Sequence, residues 1–383
     1  MFLKTILKRQ FLLIVILLSQ QSYALDSHPL DTQTYAEKFT TELVTNDINV
    51  PWGMVQLPSG ELLVTERSGT LYLVVPSTGK KHTISGLPPI DANGQGGLLD
   101  IALHPNYQKH PWLYFTYASP AGKPEGSHTA LARAKLSANK QALVDVEVLY
   151  KATENTTRGQ HYGSRIAFDA HGYVYFSIGD RGARDENPQD LTRDAGKILR
   201  LHLDGQVPED NPFVSNSKAK AAVYSYGHRN PQGLVYRYDT QQLWSHEHGP
   251  RGGDELNLIE KGGNYGWPVV SHGVNYNGTI FTQLTEKEGM VQPKLYWKPS
   301  IAPSAFIHVS TDVFPRLKGK LLLGSMKFGY IVAIEMNEQQ SISQYQLLKG
   351  VGRVRSLLQG HDGNIYIGLD GEGVHKIVAS KTE

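Results

Sequence analysis

The chain has no cysteine among its 383 residues, so it has neither a disulfide framework nor thiolate ligands for a metal centre. Excess charge of either sign is also missing: 38 Lys and Arg stand against 36 Asp and Glu, which excludes the uniformly basic surface expected of a nucleic acid binder. Helical periodicity is weak throughout, and no apolar run approaches the ~20 residues that a bilayer span needs. Packing or bound metal must then supply stability, and local clusters of charge must carry function.

Residues 1–24 read MFLKTILKRQFLLIVILLSQQSYA. Lys4, Lys8 and Arg9 precede an apolar run from Phe11 to Leu18, and Ser22-Tyr23-Ala24 closes it with small-x-small spacing. This is the pattern of a secretory signal peptide cut after Ala24, and it predicts a periplasmic or secreted protein without stable membrane insertion. The leader holds three of the 38 basic residues and no acidic one, so residues 25–383 would carry 35 against 36.

Apolar residues after the leader alternate or come in short runs bounded by Gly, Asn, Asp and Pro, the signature of many short strands. A loose unit of strand, turn and strand starts at Trp52, Leu98, Ser164, Gln232, Ser304 and Val354. Six such units over residues 25–383 predict a single all-β domain, a six-bladed β-propeller of four-stranded antiparallel blades. A pair of β-sandwiches is the alternative architecture.

In a propeller, the residues just ahead of each first strand share one end of the central channel. Those positions hold Gln95, His161, Arg229 with Asn230, and Arg353 with Arg355, a polar ring that predicts a polar ligand on the axis. His161 is the candidate general base. Arg353 and Arg355, two apart on a strand, point to one face, and Lys327 joins them from the neighbouring unit. Three cations on one rim call for an anion between them, carboxylate or phosphate.

The stretch from His228 to Pro268 packs the most chemistry into the fewest residues. Gly249-Pro250 offers backbone carbonyls, Asp254 and Glu255 add carboxylates, and Asn264 to Pro268 forms a Gly-rich aromatic turn whose Tyr265 carbonyl is available beside Glu255. Oxygen donors of this kind suit a hard cation such as calcium. His246 and His248 alternate along a strand, but no third ligand follows at zinc spacing.

The segments GQGGLLDIALHPNY, QHYGSRIAFDAHGYVYFSIGDRG, GKILRLHLDGQVPEDNPF, YSYGHRNPQGL, HEHGPRGGDELNLIEKGGNYGWP and PSIAPSAF, with those around Lys327 and Arg353, run in order from about Asn49 to Ile377. Together they resemble the soluble quinoprotein glucose dehydrogenase family, and more closely its aldose sugar dehydrogenase branch. The resemblance implies a six-bladed propeller that binds pyrroloquinoline quinone (PQQ) with calcium and oxidises aldoses at C1. It implies His161 as general base and Arg229 as polariser of the quinone. Gln95, Arg229, Asn230, Lys327, Arg353 and Arg355 would contact the cofactor. The carbonyls of Gly249 and Pro250 would hold a catalytic calcium, and Glu255 with Tyr265 a structural one.

Gln160 stands where the glucose-specific branch has an acidic residue, and the sugar-pocket wall near Trp297-Lys298 does not align, which implies a broader aldose range. The sequence leaves the electron acceptor unknown and fits a monomer or a homodimer. Two other classes compete: a calcium-dependent propeller lactonase, and a binding propeller without catalysis.

Overall fold

The computed structural model describes residues 38–337 and 342–380; the leader read at residues 1–24 lies outside them. All 24 secondary-structure elements among the described residues are strands, arranged in six four-stranded sheets as the repeats predict. Hairpins close where the sequence places Gly in turns: Gly60 and Gly172 adopt φ of 98° and 87°, conformations that favour glycine. No helix among the described residues is long and apolar enough to cross a membrane.

Blade I covers residues 51–84, blade II 98–151, blade III 166–226, blade IV 231–297 and blade V 303–347. Blade VI is composite. Residues 354–379 supply three strands, and the N-terminal strand Phe39–Thr45 supplies the fourth by pairing antiparallel with Gly373–Ala379. The inner strands Pro51–Gln56, Leu98–Leu103, Ile166–Phe168, Pro231–Arg237, Pro303–His308 and Val354–Gln359 each contact the next, and the last contacts the first. The ring is closed, which settles the architecture as a propeller and not a pair of sandwiches.

The apolar core follows the same symmetry. Buried side chains form one wedge between each pair of adjacent blades, for example Leu63, Leu98 and Phe115 between I and II, and Leu322, Ile331 and Ile367 between V and VI. Burying these strand faces supplies the bulk of the driving force.

Hydrogen bonds at the channel fix the blades to one another. Thr65 Oγ1 donates to the Leu99 carbonyl at 2.5 Å, Thr116 Oγ1 to Ser164 at 2.7 Å, and Ser177 Oγ to Pro231 at 3.2 Å. His246 Nε2 donates to Ala305 at 2.7 Å, and Ser304 and Ser356 Oγ donate to Val354 and Pro51 at 2.6 Å each. Every blade thus hands one side-chain donor to the carbonyl of its successor. At the centre, Arg165 of blade III is buried. It donates to the carbonyls of Gln232, Trp52 and Arg355 at 2.8, 3.3 and 3.3 Å and to Asp100 Oδ1 at 3.2 Å, and lies over the Trp52 ring. Asp100 also accepts the Ile166 N–H at 2.9 Å.

Arg165→Met is expected to destabilise the fold by ~3–5 kcal/mol in equilibrium denaturation, because Asp100 is left buried without its partner. Combining it with Asp100→Leu should cost less than the sum of the two singles. Strict additivity would overturn the pairing.

Candidate functional site

Loops leading into the inner strands converge on one end of the channel, where cavities of about 440, 340 and 1120 Å³ run together. Gln95, Asn230, Arg353 and Arg355 line the first. His161, Arg229 and Pro250 line the second, and Gly249, Pro250, Lys327 and Arg353 the third. The polar ring read from the sequence therefore meets in one cleft. Glu255 and Tyr265 do not line it.

His161 sits at φ 56°, a conformation sparsely used by non-glycine residues and found at sites where the surroundings impose it. Its N–H donates to Gln95 Oε1 at 2.8 Å, which gives Gln95 a part in holding the histidine backbone. Its Nδ1 donates to Asp180 Oδ1 at 2.6 Å, so Nε2 carries the lone pair, and Nε2 has no partner among the described residues. Asp180 is only 1% exposed and is held in turn by the Gly182 N–H at 2.7 Å and the Trp267 indole N–H at 2.9 Å. Burial alone would raise the Asp180 pKa, but the hydrogen bond from His161 and the nearby charge of Arg229 bring it below the usual carboxylate value. Burial is the main influence that lowers the His161 pKa; Arg229 and Arg181 add to it and Asp180 opposes it. The result is a neutral imidazole with an oriented acceptor nitrogen.

Arg229 is buried, and its guanidinium donates to the carbonyls of His248 and Gly249 at 3.0 and 2.8 Å. Its backbone N–H is fixed by Glu247 at 2.6 Å. Asp254 shapes the Gly249 loop, accepting the Gly249 and Ala302 N–H groups at 2.8 Å each and the Ser300 hydroxyl at 2.9 Å. With those bonds its carboxylate serves the loop, so the acidic pair of the sequence divides, with Asp254 shaping the cleft and Glu255 lying elsewhere. The rings of His246 and His248 each donate to a blade V carbonyl, Ala305 and Pro303, and burial pushes both pKa values down to about 3.

The anion called for between Arg353 and Arg355 is partly internal. Asp370 accepts from Arg353 Nε at 2.9 Å and from Arg355 Nη2 at 2.6 Å, while Arg353 also reaches the Met326 carbonyl at 3.0 Å. The Arg353 side chain remains 50% exposed, and Lys327 is exposed on the same rim. Asn230 Oδ1 accepts from the Gly163 N–H at 3.2 Å and from Gln232 at 3.3 Å.

A second cluster lies within blade IV. Glu247 and Glu255 face each other across paired strands. His228 donates to Glu247 at 2.9 Å and stacks on the Tyr265 ring at 4.6 Å. Burial, followed by the facing Glu247 charge, raises the Glu255 pKa well above the normal range. Asn257 donates to Glu255 at 3.2 Å, yet its buried Oδ1 has no partner among the described residues. Crowded carboxylates and an orphaned amide oxygen make a donor set that fits a hard cation.

Sequence reasoning missed Asp180, Asp370 and Trp267 as site residues. Asp180 stands in the quoted FSIGDRG segment at a strand end, and that position was its only signal. Asp370 follows the strand Ile365–Leu369, which pairs with Val354–Gln359; that strand holds Arg355, while Arg353 stands just ahead of it and not on the strand as the sequence suggested.

A family model described as glucose/sorbosone dehydrogenase matches residues 48–377. The aldose sugar dehydrogenase YliI of Escherichia coli (strain K12) is 34% identical over 333 residues, 86% of this chain and 89% of that protein. The apo-form crystal structure of the soluble aldose sugar dehydrogenase from Escherichia coli is similar with a TM-score of 0.85 at 32% identity, covering 90% of this chain and 100% of that one. The PQQ-bound form of aldose sugar dehydrogenase from Streptomyces coelicolor is similar with a TM-score of 0.73 at 26% identity, covering 90% and 99%.

Asp180→Asn removes the one neighbour that raises the His161 pKa, so the imidazole should titrate at still lower pH, as followed by NMR of the ring. An unchanged His161 pKa would show that the contact does not form in solution.

Proposed function

The chain belongs to the glucose/sorbosone dehydrogenase family, and on that premise we propose that it is a quinoprotein aldose sugar dehydrogenase, oxidising a range of aldoses at C1 to lactones with PQQ and calcium. The observation that carries this reading is the His161–Asp180 pair opening onto a cleft whose far rim holds Lys327, Arg353 and Arg355. A base and an anion clamp in one cleft suit a sugar hydroxyl beside a polycarboxylate.

The residues present fit the cofactor. Lys327, Arg353 and Arg355 would hold its carboxylates, and Asn230 would add an amide. When bound, PQQ supplies an ortho-quinone that takes up the C1 hydride. His161 Nε2 takes the proton of the anomeric hydroxyl. Asp180 keeps the proton on Nδ1 and steadies the imidazolium that forms. Arg229 places positive charge at the cleft floor, where negative charge develops on an oxygen. Trp267 and Tyr276 wall the same cavity.

Calcium fits in two ways. The Gly249 carbonyl already receives Arg229 and keeps one lone pair for a cation, with Pro250 beside it. Glu255 and the Tyr265 carbonyl would form the structural site, and the unpartnered Asn257 oxygen supports a cation there. The lactonase alternative has no need for Lys327, Arg353 and Arg355 on the rim of the cleft. The binding-only alternative has no use for the oriented His161 acceptor.

Protein reconstituted with PQQ and calcium should reduce a dye with hexoses, pentoses and disaccharides, and nicotinamide should not substitute. Loss of the His161 base in His161→Ala should lower turnover on the order of a hundredfold with cofactor still bound. The base works in its neutral form, which persists down to its lowered pKa, so the acid limb of kcat/KM should fall below the ordinary histidine range. No dye reduction in a sample shown to hold PQQ would overturn the assignment.

The two calcium roles separate by chelation. Mild chelator should abolish activity with little change in Tm, because a site built from carbonyls holds its cation weakly without the cofactor. Glu255→Gln should lower Tm in calcium even without PQQ, through lost stabilisation by mass action, and exhaustive chelation should erase the difference. Loss of activity and Tm together at one chelator concentration would indicate a single site.

A further inference from the structure

Another cavity, of about 480 Å³, opens at the junction of blades II and III and shares Arg158, Ala183 and Glu186 with the cleft. Arg158, Arg181, Arg193 and Lys220 line it against Glu154 and Glu186. Among the described residues no Phe, Tyr or Trp side chain lines it, so it lacks the usual platform for a sugar ring.

Its buried wall presents donors. His128 is 3% exposed, and its Nδ1 accepts the Thr129 N–H at 2.9 Å, which leaves the ring proton on Nε2. That nitrogen has no partner among the described residues. The imidazole is surrounded by positive charge: burial first, then Arg181, Lys151 and Lys220 hold its pKa well below the ordinary histidine value. Arg181 is 1% exposed and lies over the Tyr162 ring at 3.4 Å, and its buried Nε has no hydrogen-bond acceptor. Lys220 Nζ reaches Thr153 Oγ1 at 2.9 Å and Asp194 at 3.4 Å and has donor capacity to spare. Arginine and lysine have no acceptors, and His128 in this tautomer shows only a donor, so a matching ligand must bring acceptors and negative charge.

We propose that this cavity binds a small oxyanion, a phosphate or carboxylate group held by His128, Arg181 and Lys220. The site is distinct from the cleft but mechanically joined to it. Arg181 donates to the carbonyls of Gln160 and Arg158, the latter at 2.7 Å, and follows Asp180 directly in the chain. A ligand that draws on the Arg181 guanidinium therefore pulls on the segment that carries His161 and on its partner. The inference needs no cofactor and does not depend on the reading of the cleft.

The test is a titration of inorganic phosphate into the whole protein without PQQ, followed by histidine side-chain NMR. A saturable shift of His128 with a smaller response at His161 is expected. Lys220→Met should weaken binding by about tenfold or more, and His128→Leu, if it folds, should do the same. Arg353→Ala, on the rim of the cleft, should leave the affinity unchanged. Repeating the titration with succinate separates the two ligand sources, since binding of one and not the other names the group. If neither anion moves His128 saturably, or if Arg353→Ala abolishes binding while Lys220→Met does not, the proposed site is overturned.

Discussion

The geometry of a closed propeller creates a problem that one guanidinium resolves. Inner strands splay where they meet the axis, and backbone carbonyls there lack a sheet partner, an arrangement that is costly in a buried place. Arg165 answers three of those carbonyls at once, from blades I, IV and VI, and Asp100 of blade II balances its charge. All three residues, Trp52, Gln232 and Arg355, belong to the wall of the axial cavity. The plug of the channel is thus the floor of the cleft. The ring of Thr, Ser and His side chains that bridges successive blades extends the same solution outward, and it fixes the blade angles on which the convergence of Gln95, His161, Asn230 and Arg353 depends.

Carboxylates behind the cleft do much of the positioning, each serving a different part. Asp180 orients His161, Asp254 shapes the loop of Gly249, Asp370 gathers Arg353 and Arg355, and Glu247 pins the backbone of Arg229. Each is surrounded by donors that keep its own geometry fixed, so the cleft reaches its shape before any ligand arrives. Asp370 also tempers the rim. Two arginines on one face would repel without it, and any anion that binds there must share them with it.

The six units were legible because hairpin turns and short alternating runs are local, and local signals survive in a sequence. The polar ring was legible for the same reason: each member stands just ahead of a strand, at a position that topology makes equivalent. The carboxylates were not. Asp180 and His161 are 19 residues apart and Asp370 lies 15 from Arg355, and nothing in either spacing says that a turn brings them within hydrogen-bond distance. Arg165 sat unremarked in SRIAF, because its acceptors come from residues 52, 100, 232 and 355, a set that exists only after the ring has closed. Tyr265 and Trp267 look alike as members of an aromatic corner, yet one stacks on His228 and the other supports Asp180, a difference decided by the direction of the loop.

The pairing of Phe39–Thr45 with Gly373–Ala379 has a consequence for how the molecule comes into being. Five blades are built from contiguous chain and can form as they are synthesised, whereas the sixth must wait for the last residues. Until then the first strand has no edge to join, the axial arginine lacks the Arg355 carbonyl, and the rim lacks Arg353, Arg355 and Asp370. The cleft is therefore the last part of the protein to be completed, and a nascent or truncated chain carries most of the fold and, of the three rim cations, only Lys327.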